Sequence, residues 1–225
     1  MNKYIAEGIG TFSLVFAGCG AVVVNDLYSG TLGHVGISIV FGLVVMAIIY
    51  SIGDISGAHI NPAVTLAFYW ARRIGKKQAF FYMASQVVGA FIAAGVLRLL
   101  FSKARNLGVT VPASGALQSF GLEVVMSFLL MFVILNVSMD HKEKGIIAGV
   151  AIGGVIALES LFGGPISGAS MNPARSLAPA ILSGRFTDLW IYLTAPFIGT
   201  LLAVPIWRLI QGKDRLAADK NTRKF

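Results

Sequence analysis

Apolar residues in this chain come in six long blocks, roughly Tyr4 to Val24, Val35 to Gly53, Ala79 to Leu100, Ser119 to Ser138, Gly145 to Phe162 and Leu189 to Ile210. A bilayer's hydrocarbon core is about 30 Å thick and takes about 20 apolar residues of helix to cross. Each block therefore predicts one transmembrane helix. Two further apolar pieces, after Asn61 and after Asn172, run for only about ten to twelve residues and follow glycine-rich leaders. They are too short to cross and predict half-helices. The expected fold class is an all-α membrane protein with six transmembrane helices and two half-helices.

The two short pieces are copies of each other. SGAHINPAVTL from Ser56 to Leu66 lies over SGASMNPARSL from Ser167 to Leu177 with seven of eleven positions identical. The match extends outward: Glu7, early in the first span, corresponds to Glu123, early in the fourth, and Gly89 corresponds to Gly199. Each half holds three spans and one short helix, and an odd number of crossings turns the second half upside down. This is an inverted repeat, in which short interrupted segments at matching places mark a permeation site.

Asn-Pro starts a helix for a physical reason. Asn serves as the N-cap, and Pro fits the first helical position because its missing N–H would be unsatisfied there anyway. Asn61-Pro62-Ala63 and Asn172-Pro173-Ala174 are thus two half-helix starts, with the Ser-Gly-Ala leaders before them expected as extended backbone. Non-helical backbone at membrane depth is tolerated only where protein or a water-filled cavity surrounds it.

Composition narrows the class. The chain is 56% hydrophobic and 12% charged, with mean hydropathy +0.78, which places it in lipid. The single cysteine, Cys19, excludes a disulfide framework and a thiolate metal site. The first block follows Met1 directly without a small-residue cleavage site, so it reads as a retained span. The net charge of +8 lies at span ends and not on a basic helix face, which excludes nucleic acid as a partner. Lys3, Arg72, Arg73, Lys76, Lys77, Lys142, Lys144, Arg208 and the tail's Lys213, Arg215, Lys220, Arg223 and Lys224 gather on one side. Arg98, Lys103, Arg105 and Arg185 lie on the other. By the positive-inside rule both termini are cytoplasmic, and the polar tail beyond Gln211 is expected to be a mobile surface segment.

The motifs AEGIGTF from Ala6, SGAHINPAVT from Ser56 and PISGASMNPARS from Pro165 resemble those of the aquaporin family, the major intrinsic proteins. The last is most similar to nodulin-26-like and bacterial members. The resemblance implies a single transmembrane channel domain over residues 1–212, built of repeats of about 1–105 and 115–212, with a cytoplasmic tail at 213–225. It also implies a homotetramer in the cell membrane, plasma or inner, and passage of water and small neutral solutes such as glycerol.

Carried over by position, the family's constriction falls on Phe41, Ser160, Ala169 and Arg175, the last replacing Val64 of the first repeat. Ser160 stands where strict water channels of the family place histidine, and Ala169 is also small, so the opening is expected to be wide, with Phe41 and Arg175 its bulky members. Ser176 and Ala180 resemble the water-selective branch, whereas Tyr192-Leu193 before Pro196 resembles the nodulin-26-like and glycerol-conducting branches; the two signals leave the solute open.

Two half-helices meeting at the midplane would place about one unit of positive partial charge there, and paired asparagine donors would break a proton wire. Glu7 and Glu123 can accept hydrogen bonds from the leader backbones, a scaffold role, and His59 is expected to pack its leader. Asp54 is read as a solvated charge at the cytoplasmic mouth, and Glu159 as reaching toward the outer vestibule. No Ser-His-Asp set, metal-ligand cluster or phosphate loop occurs, so neither an enzyme nor a cofactor is expected. An ion- or proton-coupled secondary transporter is the remaining alternative, disfavoured because it needs titratable groups converging at the midplane.

Overall fold

The computed structural model describes residues 1–138 and 142–222. Among them are eight helices: α1 (Asn2–Leu27), α2 (Gly33–Ser56), α3 (Pro62–Trp70), α4 (Lys76–Leu100), α5 (Ala116–Val137), α6 (Lys142–Ser167), α7 (Pro173–Ser183) and α8 (Leu189–Thr222). Six contain stretches of 21 to 26 residues long and apolar enough to cross a membrane, with mean hydropathy from 1.7 to 2.5. Helices α3 and α7 are the half-helices.

Packing follows the repeat. Helix α1 lies on α2 and α4, as α5 lies on α6 and α8. The halves join where α2 meets α6, α3 meets α8 and α4 meets α7, and the two half-helices touch each other. Two glycines set the closest crossings: a Cβ on Gly89 of α4 would strike the Gly8 carbonyl of α1, and one on Gly199 of α8 would strike the Val124 carbonyl of α5. With no hydrophobic force between helices in lipid, such close approach supplies the packing. Outward, residues such as Leu99 and Leu117, both 82% exposed, present an apolar face to the hydrocarbon.

Proline and histidine cooperate in α6. Pro165 cannot donate to the Leu161 carbonyl one turn back, and His34 at the start of α2 places Nε2 2.7 Å from that oxygen. A carbonyl only accepts, so the ring N–H donates. Gly164 leaves the room, since a Cβ there would come within 2.6 Å of the His34 ring.

One expectation changes here. The leaders are not extended: Gly57, Ala58 and Ile60 have φ of 87, 47 and 44°, and Gly168, Ala169 and Met171 have 82, 41 and 52°. These left-handed residues turn neighbouring peptide planes to different sides, which the bonds to Glu7 and Glu123 require. Helix α8 continues to Thr222, past the apolar span's end at Gln211, so the tail's backbone extends the helix. The tail's side chains, with those of Lys142 and Lys144 and residues 223–225, lie outside the described residues. Gly149 and Gly153 of α6 pack within the subunit, Gly149 against the Tyr50 ring and Gly153 against the Gly42 carbonyl and Met46. Gly154 alone of that group faces open space.

The crossings give a direct test. Gly89→Ala should destabilise the protein by about 1–3 kcal/mol through overpacking against backbone that cannot yield. Gly95→Ala, at a position with nothing within 4 Å, should be neutral or slightly stabilising. Thermal unfolding in detergent followed by circular dichroism reads both.

Candidate functional site

A cavity of about 960 Å³ is lined by residues of both repeats. It begins between Tyr50, Asp54 and Ser138, passes His59, Asn61 and Asn172, and ends at Phe41, Ser160, Ala169 and Arg175. The two half-helix starts meet halfway. Asn61 has an extended backbone (φ −154°, ψ 121°) and its side chain accepts from Ala63 N–H at 2.9 Å. Asn172 accepts from Ala174 N–H at 3.0 Å and Arg175 N–H at 3.3 Å. Each amide nitrogen then reaches across the repeat boundary: Asn61 Nδ2 donates to the Met171 carbonyl at 2.8 Å, and Asn172 Nδ2 to the Ile60 carbonyl at 2.9 Å. An amide NH₂ has two hydrogens, so one on each remains for the cavity.

The carbonyls stand where they do because the other side of each leader is tied down. Glu7, fully buried, accepts from Ser56 Oγ at 2.7 Å, His59 N–H at 2.9 Å, Ile60 N–H at 2.7 Å and Gln86 Nε2 at 2.7 Å. Glu123, also fully buried, accepts from Ser167 Oγ, Ser170 N–H and Met171 N–H, each at 2.8 Å. A second pair completes the cradle: Tyr82 Oη donates to the Ser56 carbonyl at 2.8 Å and Tyr192 Oη to the Ser167 carbonyl at 2.6 Å. This pair escaped the sequence reading although Tyr82 and Tyr192 have the same offset as Gly89 and Gly199.

His59 stacks on Phe68 at 4.4 Å and meets Tyr82 edge-on at 5.1 Å, with Nδ1 3.2 Å from Thr65 Oγ1. Ser170 holds the matching place in the second repeat, with Oγ 2.5 Å from Ser176 Oγ, which in turn lies 2.8 Å from Thr110 Oγ1.

At the far end Arg175 is only 3% exposed. Its Nη1 donates to the Gly108 carbonyl at 2.7 Å, and its guanidinium carbon lies 5.2 Å from the centre of the Phe41 ring, a cation–π distance. Gly108 belongs to the connection between the halves, at φ 75°, against Cys19: a Cβ on it would lie 2.6 Å from the Cys19 Cβ. Gly18 likewise clears space for the Phe41 ring. Neither glycine has a pattern in the sequence that marks it.

Glu159 is a correction. It does not reach the vestibule; it is fully buried, and neither carboxyl oxygen has a hydrogen-bond partner. Ile156 and Ser160, one helical turn apart, line the cavity, and the helical period turns Glu159 off that face toward the wall.

The sequence profile of the major intrinsic proteins matches residues 1–207. The chain belongs to that family. It is 46% identical over 212 residues to "Aquaporin NIP1-1" of Oryza sativa subsp. japonica, covering 94% of this chain and 75% of that protein. To "Nodulin-26" of Glycine max it is 44% identical, covering 96% and 80%. The solved aquaglyceroporin from Plasmodium falciparum has the same fold, with a TM-score of 0.84 at 24% identity, over 92% of this chain and 94% of that one. This major intrinsic protein is accordingly a multi-pass membrane channel for passive passage of water and small solutes, and not an enzyme.

Glu123 and Glu159 should respond oppositely to removal. Glu123→Leu strands three buried donors, each costing about 1–3 kcal/mol, and should lower the melting temperature sharply. Glu159→Met removes a carboxyl that bonds to nothing and should leave the melting temperature unchanged or raise it. Calorimetry of the two purified variants beside wild type decides both.

Proposed function

We propose that the cavity is the permeation path, that Phe41, Ser160, Ala169 and Arg175 form its selectivity filter, and that glycerol passes along with water. The observation that carries this reading is the make-up of the Arg175 end, where two bulky groups, Phe41 and Arg175, face two small ones, Ser160 and Ala169. A polyol can slide its CH groups along Phe41 while its hydroxyls bond to Arg175, Ser160 and nearby carbonyls. The names of the relatives agree: several are aquaporins, and the structural neighbour is an aquaglyceroporin.

Ion exclusion has two parts. The half-helix N-termini contribute about half a positive charge each at the asparagines, and their free amide hydrogens occupy the lone pairs of a passing water so that it cannot relay a proton. Arg175 adds a permanent charge at the filter. A dehydrated cation finds no replacement ligands along the apolar walls and pays several kcal/mol, whereas water recovers most of its bonds from leader carbonyls. In this reading the channel is a homotetramer of the cell membrane, with both termini cytoplasmic according to the distribution of Lys and Arg.

Stopped-flow swelling of proteoliposomes tests the filter. Ser160→His should cut glycerol flux at least tenfold, about 1.4 kcal/mol or more, while sparing most of the water flux. A wild type that excludes glycerol, or a variant in which both fluxes fall together, would sink the wide-filter reading. Arg175→Val should raise proton and cation leak with water flow intact; unchanged proton conductance would assign exclusion to the asparagines alone.

A further inference from the structure

Where α1 and α4 run side by side, the outer face carries a second groove, of about 530 Å³, that has no part in permeation. Its walls are Ile5, Ile9 and Phe12 on α1 and Val88 and Ile92 on α4, with Gly8 and Gly89 in its floor. Ile5, Ile9, Val88 and Ile92 are each more than half exposed, from 54% to 57%. Both helices are long and apolar enough to cross a membrane, and their half-exposed side chains give the groove apolar walls.

The groove opens, at one end, on the N-termini of both helices. Lys3 donates from Nζ to Gln78 Oε1 at 3.1 Å, which brings its ammonium to α4. Lys76 and Lys77 fill the first turn of α4 and are exposed. Neither helix has an acidic residue in its first turn or a side-chain cap at its start. Three lysines therefore lie in the first turns of neighbouring helices, like charges at an end where the macrodipoles already disfavour positive charge. An anion among them relieves both repulsions. Tyr4 and Phe81, 5.4 Å apart at the same level, form the aromatic rim that marks a headgroup boundary.

We propose that this groove is a binding site for one anionic phospholipid, its phosphate among Lys3, Lys76 and Lys77 and an acyl chain along Ile5, Ile9, Val88 and Ile92. Apolar walls select a chain, and the three cations select an anionic over a zwitterionic headgroup. The proposal is independent of which solute the pore conducts.

Native mass spectrometry of the purified full-length channel in mild detergent, titrated with phosphatidylglycerol or phosphatidylcholine, reads bound lipid and oligomeric state together. Wild type should retain phosphatidylglycerol about tenfold more strongly than phosphatidylcholine, as expected for three partly screened lysines. The triple variant Lys3→Gln/Lys76→Gln/Lys77→Gln should lose that preference, and Ala84→Phe, which fills the groove from an exposed position, should lose retention of both lipids. Arg72→Gln, a cation on the same side but outside the groove, should change nothing. Equal retention of the two lipids by wild type, or unchanged phosphatidylglycerol binding in the triple variant, overturns the proposal. So does an equal loss in Arg72→Gln, which would show diffuse attraction. A shifted oligomer distribution in Ala84→Phe without lipid loss would assign the groove to a second copy of the chain and overturn it as well.

Discussion

Backbone that leaves the helix inside hydrocarbon must find a partner for every N–H and C=O, because no water is there to serve. The two leaders meet this constraint by dividing their polar groups between two sides. N–H groups of the leaders converge on Glu7 and Glu123, and the Ile60 and Met171 carbonyls accept from the asparagines of the other repeat. That division requires Ala58, Ile60, Ala169 and Met171 in a left-handed conformation, at a cost of about 1–3 kcal/mol each. A β-branched residue such as Ile60 would not hold φ 44° by itself; the carboxylate holds it. The placing of the Ile60 and Met171 carbonyls against the opposite asparagines is thus the other face of the bonds that keep the loops in the membrane.

The same economy governs the helices. Glu7 reaches the first leader only because α1 and α4 close to contact at Gly8 and Gly89, and Glu123 reaches the second because α5 and α8 do so at Val124 and Gly199. Close crossing brings Gln86 to Glu7 and Thr65 together, at 2.7 and 2.9 Å. The second half has no such amide: Pro196 stands at the position corresponding to Gln86, and the hydroxyls of Ser170, Ser176 and Thr110 bond to one another instead. The repeats therefore share a geometry while differing in the chemistry that enforces it.

The fold was legible in sequence to the extent that it is written in length and repetition. Six blocks long enough to cross and two Asn-Pro starts in duplicated surroundings give the helices, their order and the inversion. What the sequence hides is direction. Positive φ at Ile60 or Met171 has no signature, since neither residue favours it, and extended leaders were the natural expectation. Glu159 illustrates the same limit: its neighbour Ser160 lines the cavity, and one step along a helix turns a carboxyl from the vestibule into the wall. Gly108 holds Arg175 from the connection between the halves, a place where no repeat exists to point at it.

Replacement of Val64 by Arg175 makes the two ends of a twofold arrangement unlike. The cavity lining includes Tyr50, Asp54, Leu130, Ile134 and Ser138 as well as Phe41, Ser160, Ala169 and Arg175, and among the described residues only the Arg175 end carries a buried guanidinium. Microscopic reversibility forbids such a shape from rectifying net flow: at equal and opposite gradients, dilute solute moves equally fast either way. It does not forbid unequal access for molecules too large to pass. An inhibitor entering from the Asp54 side can descend to the asparagine pair before it lodges, whereas one from the other side meets a fixed guanidinium at the threshold. The broken symmetry therefore sets which compartment a blocker must come from, while leaving transport itself without a preferred direction.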